Sequence, residues 1–260
     1  MAKAELLFAG TDDGVALFSE PGGIGRWLRI GRTLQGVQVA SLWLDADDPQ
    51  QVLASDGAVL WRSADGGQSW SEVVGGPAGP MAAVRGEPHL AWCVTQGALW
   101  KSRDSGQQWQ RVAEGSWERP HAVAISGSTL AFAASHTVWL ADPQGELRSS
   151  TLPSPVTGLA GLPSPDGWYA TAAGRLYRLE GMDWTPVPGA PPAPGALAVL
   201  GGKQPTLLLA SGDGHVVRAS LDGAWETPPD PAWPAKPSTI YAAPYHIDTA
   251  FAGAGGTLAF

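Results

Sequence analysis

Residues 54–70, ASDGAVLWRSADGGQSW, form the unit that decides the fold. The segment 59–63 alternates apolar and other residues, which predicts a strand that packs between neighbouring sheets. Turn residues precede this strand at 55–57 and follow it at 63–67. A close copy, TQGALWKSRDSGQQW, occupies residues 95–109. A supersecondary unit that returns within one chain is typical of a repeat fold.

The same pattern of an apolar strand, a turn and a second strand occurs seven times along the chain. Successive copies are spaced by about 40 residues, as in a four-stranded propeller blade. A further apolar strand precedes every copy but the first, and an outer strand follows every copy but the last. We therefore predict an all-β protein, a single β-propeller domain of four-stranded antiparallel blades over residues 1–260. Seven blades fit the repeat best and six are the alternative, because the incomplete first and last copies could meet to close the ring.

The composition restricts the partners and the compartment. The chain has 260 residues and a formal net charge of -8, which argues against binding to nucleic acid or to anionic membrane surfaces. No apolar stretch approaches the ~18 residues that would predict membrane insertion. Because Cys93 is the only cysteine, no internal disulfide can form, and we expect a reducing, cytoplasmic location.

Two turn segments share the pattern S-x-D-x-G-x-x-W, SADGGQSW at 63–70 and SRDSGQQW at 102–109. The Asp can accept hydrogen bonds from backbone N–H groups of its own turn, the Gly can adopt a positive φ, and the Trp can bury a large ring. The pattern resembles the Asp box, or BNR repeat, of β-propellers such as sialidases, sortilin-type receptors and photosystem assembly factors. The resemblance implies a structural role for Ser63, Asp65, Gly67, Trp70, Ser102, Asp104, Gly106 and Trp109.

We expect no metal and no cofactor. Acidic residues cluster at 44–49 and at 11–14, but neither cluster has the dozen-residue ligand spacing and distal carboxylate of a calcium loop. His246 and Asp248 lie in a predicted loop, and the chain has no G-x-S-x-G segment to supply a nucleophile. A turn pair is therefore a better interpretation of these two residues than a catalytic relay.

The resemblance implies two functions of different kinds. The first is a non-enzymatic binding or scaffold protein that engages a protein partner, as an assembly factor does. The alternative is a sialidase-like or other glycoside hydrolase that acts on a carbohydrate. Sialidases hold their substrate with three arginines, whereas Arg85 is the only arginine on a predicted inner strand. No carboxylate pair of the kind that other glycosidases need is evident either, so we favour the scaffold.

The predicted binding surface is the face formed by the turns between second and third strands and by the crossings between blades. Trp and Arg are among the residues most enriched at binding hot spots, and the geometry of a crossing does not require a Trp. The residues that we select on this face are Trp117, Arg119, Asp213, His215 and Trp233. In the alternative interpretation, Trp117 and Trp233 only cap blades of the propeller itself.

Overall fold

The structure is a computed structural model that describes residues 5–21, 26–45, 47–84, 86–162, 167–192, 195–201, 205–220, 225–227, 237–242, 250–254 and 257–259. The chain divides into two compact units, residues 1–119 and residues 120–260. Both units are built from antiparallel sheets in which strands adjacent in sequence are also adjacent in space. That the whole chain forms one propeller domain stays a prediction.

The first unit contains three sheets. The first sheet consists of β1 (Glu5–Thr11), β2 (Gly14–Glu20) and β3 (Leu28–Thr33). The second consists of β4 (Ser41–Leu44), β5 (Val52–Ser55), β6 (Leu60–Ser63) and β7 (Ser71–Glu72). The third consists of β8 (Met81–Ala83), β9 (Ala91–Thr95), β10 (Ala98–Ser102) and β11 (Gln110–Glu114).

The second unit contains four sheets. The fourth sheet of the chain consists of β12 (Ala122–Ser126), β13 (Thr129–Ala134), β14 (Thr137–Ala141) and β15 (Leu147–Thr151). The fifth consists of β16 (Val156–Gly161), β17 (Trp168–Ala172), β18 (Arg175–Glu180) and β19 (Asp183–Pro186). The sixth consists of β20 (Leu197–Leu200), β21 (Thr206–Ala210), β22 (Val216–Ser220) and β23 (Trp225–Glu226). The seventh consists of β24 (Thr239–Ala242), β25 (Ala250–Ala254) and β26 (Thr257–Ala259).

The predicted fold class is confirmed, since every element in the described part of the chain is a strand and every pairing is antiparallel. Five sheets have four strands, and the first and last sheets have three each. These are the sheets for which the sequence predicts a missing inner strand and a missing outer strand, respectively. The choice between seven blades and six stays a prediction. Among the described residues, no helix has the length and the apolar character to cross a membrane.

The second strand of each four-stranded sheet is the most deeply buried element. In β9, for example, Ala91, Trp92, Cys93 and Val94 are all buried, and in β17 the whole strand is buried. Successive inner strands contact one another within a unit, such as β4 with β8 and β12 with β16. This burial explains why these strands appear in the sequence as continuous apolar runs.

The core of the first unit lies between its sheets. Leu53, Leu60 and Cys93 belong to one cluster of the second and third sheets, and all three are almost fully buried. Trp43 joins this cluster, and its Nε1 donates a hydrogen bond to the carbonyl oxygen of Leu90 at 3.1 Å. The third sheet is therefore fixed against the second by both packing and a buried hydrogen bond.

Candidate functional site

The two S-x-D-x-G-x-x-W segments are called Asp boxes below for their sequence pattern alone. The first, residues 63–70, uses its carboxylate within its own hairpin. Asp65 Oδ1 accepts hydrogen bonds from Ser63 Oγ at 2.8 Å and from the backbone N–H groups of Gln68 and Ser69, both at 2.9 Å. Asp65 Oδ2 accepts a further hydrogen bond from Ser69 Oγ at 2.5 Å. These bonds, of which the one from the Ser69 hydroxyl has the largest effect, lower the pKa of Asp65 to about 2.

Trp70 closes this hairpin against the first sheet. Its Nε1 donates to the carbonyl oxygen of Gly67 and to Thr33 Oγ1, both at 3.1 Å. Gly67 has a φ of 82° and lies beside the ring of Phe8, which belongs to β1. The box therefore connects two neighbouring sheets of the first unit.

The second Asp box, residues 102–109, repeats these contacts. Asp104 Oδ1 accepts from Ser102 Oγ at 2.8 Å and from the backbone N–H of Gln108 at 2.9 Å. Trp109 Nε1 donates to the carbonyl oxygen of Gly106 at 3.2 Å. Both Asp-box carboxylates are thus engaged by donors of their own hairpins.

Two residues selected for the binding surface, Trp117 and Arg119, lie in the first unit and differ in exposure. Trp117 is only 4% exposed, and its Nε1 donates to the carbonyl oxygen of Thr95 at 2.7 Å. The burial of Trp117 agrees with the alternative interpretation, in which this side chain caps its own sheet, because the indole covers the end of β9. Arg119 is exposed, and its Nη2 lies 3.4 Å from the carbonyl oxygen of Asp56, over the turn between β5 and β6.

Asp213 and His215 lie together in the turn before β22, and both are exposed. Asp213 Oδ1 accepts a hydrogen bond from Ser211 Oγ and another, at 3.4 Å, from the backbone N–H of His215. The bond from Ser211 is the main reason why the pKa of Asp213 is lowered. The turn thus orients the Asp213 carboxylate, while the imidazole of His215 is accessible to solvent.

Several sequence-based predictions fall outside the described residues. They concern Trp233 of the binding surface, Arg85 of the inner strand, and the pair His246 and Asp248. Within the described part of the chain, no group of three or more His, Cys, Asp or Glu side chains could hold a metal ion.

The acidic turn at 11–14 is braced by its own neighbours. Asp13 Oδ2 lies 2.6 Å from Arg32 Nη1, and Asp13 Oδ1 accepts the backbone N–H of Gly36 at 2.7 Å. Asp12 Oδ1 accepts from Gln38 Nε2 at 3.3 Å. The two carboxylates therefore hold the connection from the first sheet to the second.

A cluster that the sequence analysis missed joins the second and third sheets. Asp45, at the end of β4, has a fully buried carboxylate whose Oδ2 lies 2.6 Å from His89 Nδ1 and 2.5 Å from Ser105 Oγ. Asp45 Oδ1 accepts the backbone N–H groups of Asp47 at 3.0 Å and Asp48 at 3.3 Å. Burial acts to raise the pKa of Asp45, but these hydrogen bonds outweigh it, and the pKa is lowered.

The second unit has a groove of about 270 Å³ between its fifth and sixth sheets. Tyr169 and Trp225 supply its aromatic walls, and Arg178 and Glu180 supply charges of both signs. Burial raises the pKa of the Tyr169 phenol. The groove is a polar and aromatic cleft along the outer strands of the second unit.

Comparison with solved structures assigns the class of the protein, a β-propeller. No protein-family model matches the chain, and no curated protein matches it in sequence. In structure, it is similar to YCF48 bound to D1 peptide, with a TM-score of 0.70 and 17% identity over 96% of this chain and 85% of that one. It is also similar to a streptogramin B lyase, with a TM-score of 0.69 and 12% identity over 98% of this chain and 96% of that one.

An ancestral GH74 enzyme is a third similar structure, with a TM-score of 0.72 and 15% identity. The match covers 97% of this chain, which spans only 42% of the length of that enzyme. At these identities the similarity concerns the fold, and the three proteins differ in what they do.

Proposed function

We propose that this chain is a non-enzymatic β-propeller that binds a protein partner and acts as a scaffold or assembly factor. The observation that carries the proposal is the similarity in structure to YCF48 bound to D1 peptide, a match that covers most of both chains. The engaged Asp-box carboxylates also support it, because Asp65 and Asp104 each accept backbone N–H groups of their own hairpins. We further propose that these boxes belong to the BNR type. The single, buried Cys93 agrees with a reducing compartment, the cytoplasm.

We place the partner on the surface that carries the turns and crossings, with Arg119 as its residue in the first unit. Arg119 has an exposed guanidinium, a group that binds carboxylates with two parallel hydrogen bonds. Asp213 and His215 are the corresponding exposed residues in the second unit, and Trp233 remains part of the proposal.

The proposal is tested by cross-linking and affinity capture from cells of the source organism, with wild-type protein and two arginine variants. Arg119→Ala should lower the yield of the specific partner. Arg103→Ala is the matched control, because Arg103 is an exposed arginine in the Asp-box hairpin at the other end of the third sheet. Equal loss of the partner in both variants, with both folded, would contradict the chosen surface.

Glycoside hydrolysis is the second candidate function, favoured by the similarity in structure to the ancestral GH74 enzyme. If it applies, purified protein should hydrolyse fluorogenic xylosides, glucosides or sialosides faster than buffer does. Substitution of one Asp or Glu should then abolish turnover, whereas the scaffold proposal expects no turnover at all.

A further inference from the structure

We propose that Asp45, His89 and Ser105 form a latch that makes two loops and one hairpin of the first unit open and close as a single element. The loops contribute residues 45 and 47–51, between β4 and β5, and residues 84 and 86–90, between β8 and β9. The hairpin is the second Asp box. We call the three residues the Asp45 latch.

The hydrogen-bond geometry sets the donors in the latch. A carboxylate only accepts, so the Nδ1 of His89 and the Oγ of Ser105 must both donate to Asp45 Oδ2. The Nδ1 of His89 therefore carries a proton, and the imidazole that holds it is half-exposed. Four donors, two from side chains and two from backbone N–H groups, satisfy a carboxylate that is fully buried.

Both partners of Asp45 have backbone conformations that L-residues rarely adopt. The φ of His89 is 62° and that of Ser105 is 56°. Such conformations cost energy and persist only where the surroundings enforce them. These two residues contact the same carboxylate oxygen, which indicates that the contact helps to hold both in their strained conformations.

The second sheet supplies an internal comparison. There Gly66 occupies the Asp-box position of Ser105, and its N–H donates to the carbonyl oxygen of Gln50 at 3.0 Å. In the third sheet the N–H of Ser105 donates to the carbonyl oxygen of His89, also at 3.0 Å. Since glycine would fill this position without strain, the Ser105 side chain must contribute through its Oγ. The backbone hydrogen bond from the hairpin to the preceding loop is present in both sheets. The contact between a hairpin side chain and the Asp45 carboxylate is made by Ser105, in the third sheet.

The latch extends into the second sheet through Arg62. Its Nε donates to the carbonyl oxygen of Ser105 at 3.2 Å, and its Nη2 donates to Gln51 Oε1. Gln51 Nε2 in turn donates to Asp48 Oδ2 at 3.1 Å. The loop after β4 is thus connected to the hairpin directly, through Asp45 and Ser105, and indirectly, through Arg62 of β6.

The experiment is native-state hydrogen exchange on the full chain, followed at the amides of Ser105, Asp47 and Asp48, with β10 amides as the internal reference. Ser105→Gly relieves the strained φ but removes Oγ. We expect exchange at all three amides to accelerate about ten- to a hundredfold relative to the reference, which corresponds to loss of a charge-assisted hydrogen bond. Slower or unchanged exchange in Ser105→Gly would overturn the proposal, because Ser105 would then be only a strained occupant of the turn.

Two further variants complete the test. Gly75→Ser is the matched control, since Gly75 also has a positive φ, of 71°, and a Cβ there has nothing within 4 Å. It should leave exchange at the Asp47 and Asp48 amides unchanged. In an Asp45→Asn background, Ser105→Gly should no longer accelerate exchange. If the effect of Ser105→Gly is the same in both backgrounds, the two residues are not coupled and the latch does not exist.

Discussion

Gly106 of the second Asp box gives the sharpest test of how the hairpins pack. It has a φ of 81°, and a Cβ at this position would lie 2.5 Å from Leu53 Cδ2 and 2.7 Å from Leu53 Cδ1. Leu53 is 0% exposed and is enclosed by the cluster between the second and third sheets, so its side chain has no open space to enter. Gly106→Ala therefore combines a strained backbone with an overpacked core.

The expected loss in the free energy of unfolding is the sum of two costs, one for the backbone conformation and one for the overpacked core. An alanine at positive φ costs about 1–2 kcal/mol, and overpacking of a closed core costs about 1–3 kcal/mol. Gly106→Ala should thus lower the free energy of unfolding by about 2–5 kcal/mol. Gly66→Ala, with a φ of 72° and nothing within 4 Å of the added Cβ, should cost only the first term, about 1–2 kcal/mol.

The assay is urea denaturation followed by circular dichroism, with the two variants and the wild-type protein measured side by side. Gly67→Ala should fall between them, because its Cβ would meet Phe8 Cε1 at 3.1 Å and the ring edge can shift. Equal losses for Gly106→Ala and Gly66→Ala would refute the reasoning, since the contact with Leu53 would then have no energetic consequence.

Three other outcomes follow from the geometry. The pKa of Asp65 is lowered to about 2 from 3.8, so its stabilisation is present above pH 3.8 and is lost as the pH falls through about 2; the difference in Tm between wild type and Asp65→Ala should shrink on acidification. Trp117→Phe should lower the free energy of unfolding by about 1–3 kcal/mol, measured by urea denaturation, because it leaves the Thr95 carbonyl without its donor. Burial raises the pKa of Cys93 to about 12, so a thiol reagent at neutral pH should modify it only after unfolding.

The repeat explains why the fold could be predicted. A segment such as 54–70 encodes strand, turn and strand locally, and its return at a regular spacing fixes the number of strands in each sheet. The buried second strands follow the same logic, since a strand covered on both faces needs an apolar run. None of this depends on contacts between distant residues.

The Asp45 latch was harder to predict than the fold because its contacts join residues that lie far apart in the sequence. Asp45 lies 44 residues from His89 and 60 residues from Ser105, and no local pattern joins them. One signal was present: Ser105 occupies the position where the other Asp box has Gly66. A non-glycine residue at a turn position that favours positive φ indicates a side chain with a specific contact.

The burial of Trp117 also depends on contacts that the sequence alone does not show. The sequence places a Trp in a crossing, but whether that ring is exposed depends on the space left by its neighbours. Gly115 leaves that space, because a Cβ there would lie 2.3 Å from Trp117 Cζ3. The indole therefore folds back over the end of β9, where Thr95 accepts its N–H.

The state of the carboxylates bears directly on the choice between scaffold and hydrolase. A glycosidase needs one carboxylic acid with a raised pKa that can protonate the leaving group. Asp65, Asp104 and Asp142 accept backbone N–H groups of their own turns. Asp45 and Glu20 are both buried acidic residues of the described chain, and the hydrogen bonds to Asp45 lower its pKa although burial acts to raise it. These four Asp side chains stabilise turns and join sheets, which agrees with a structural use of acidic residues in the proposed scaffold.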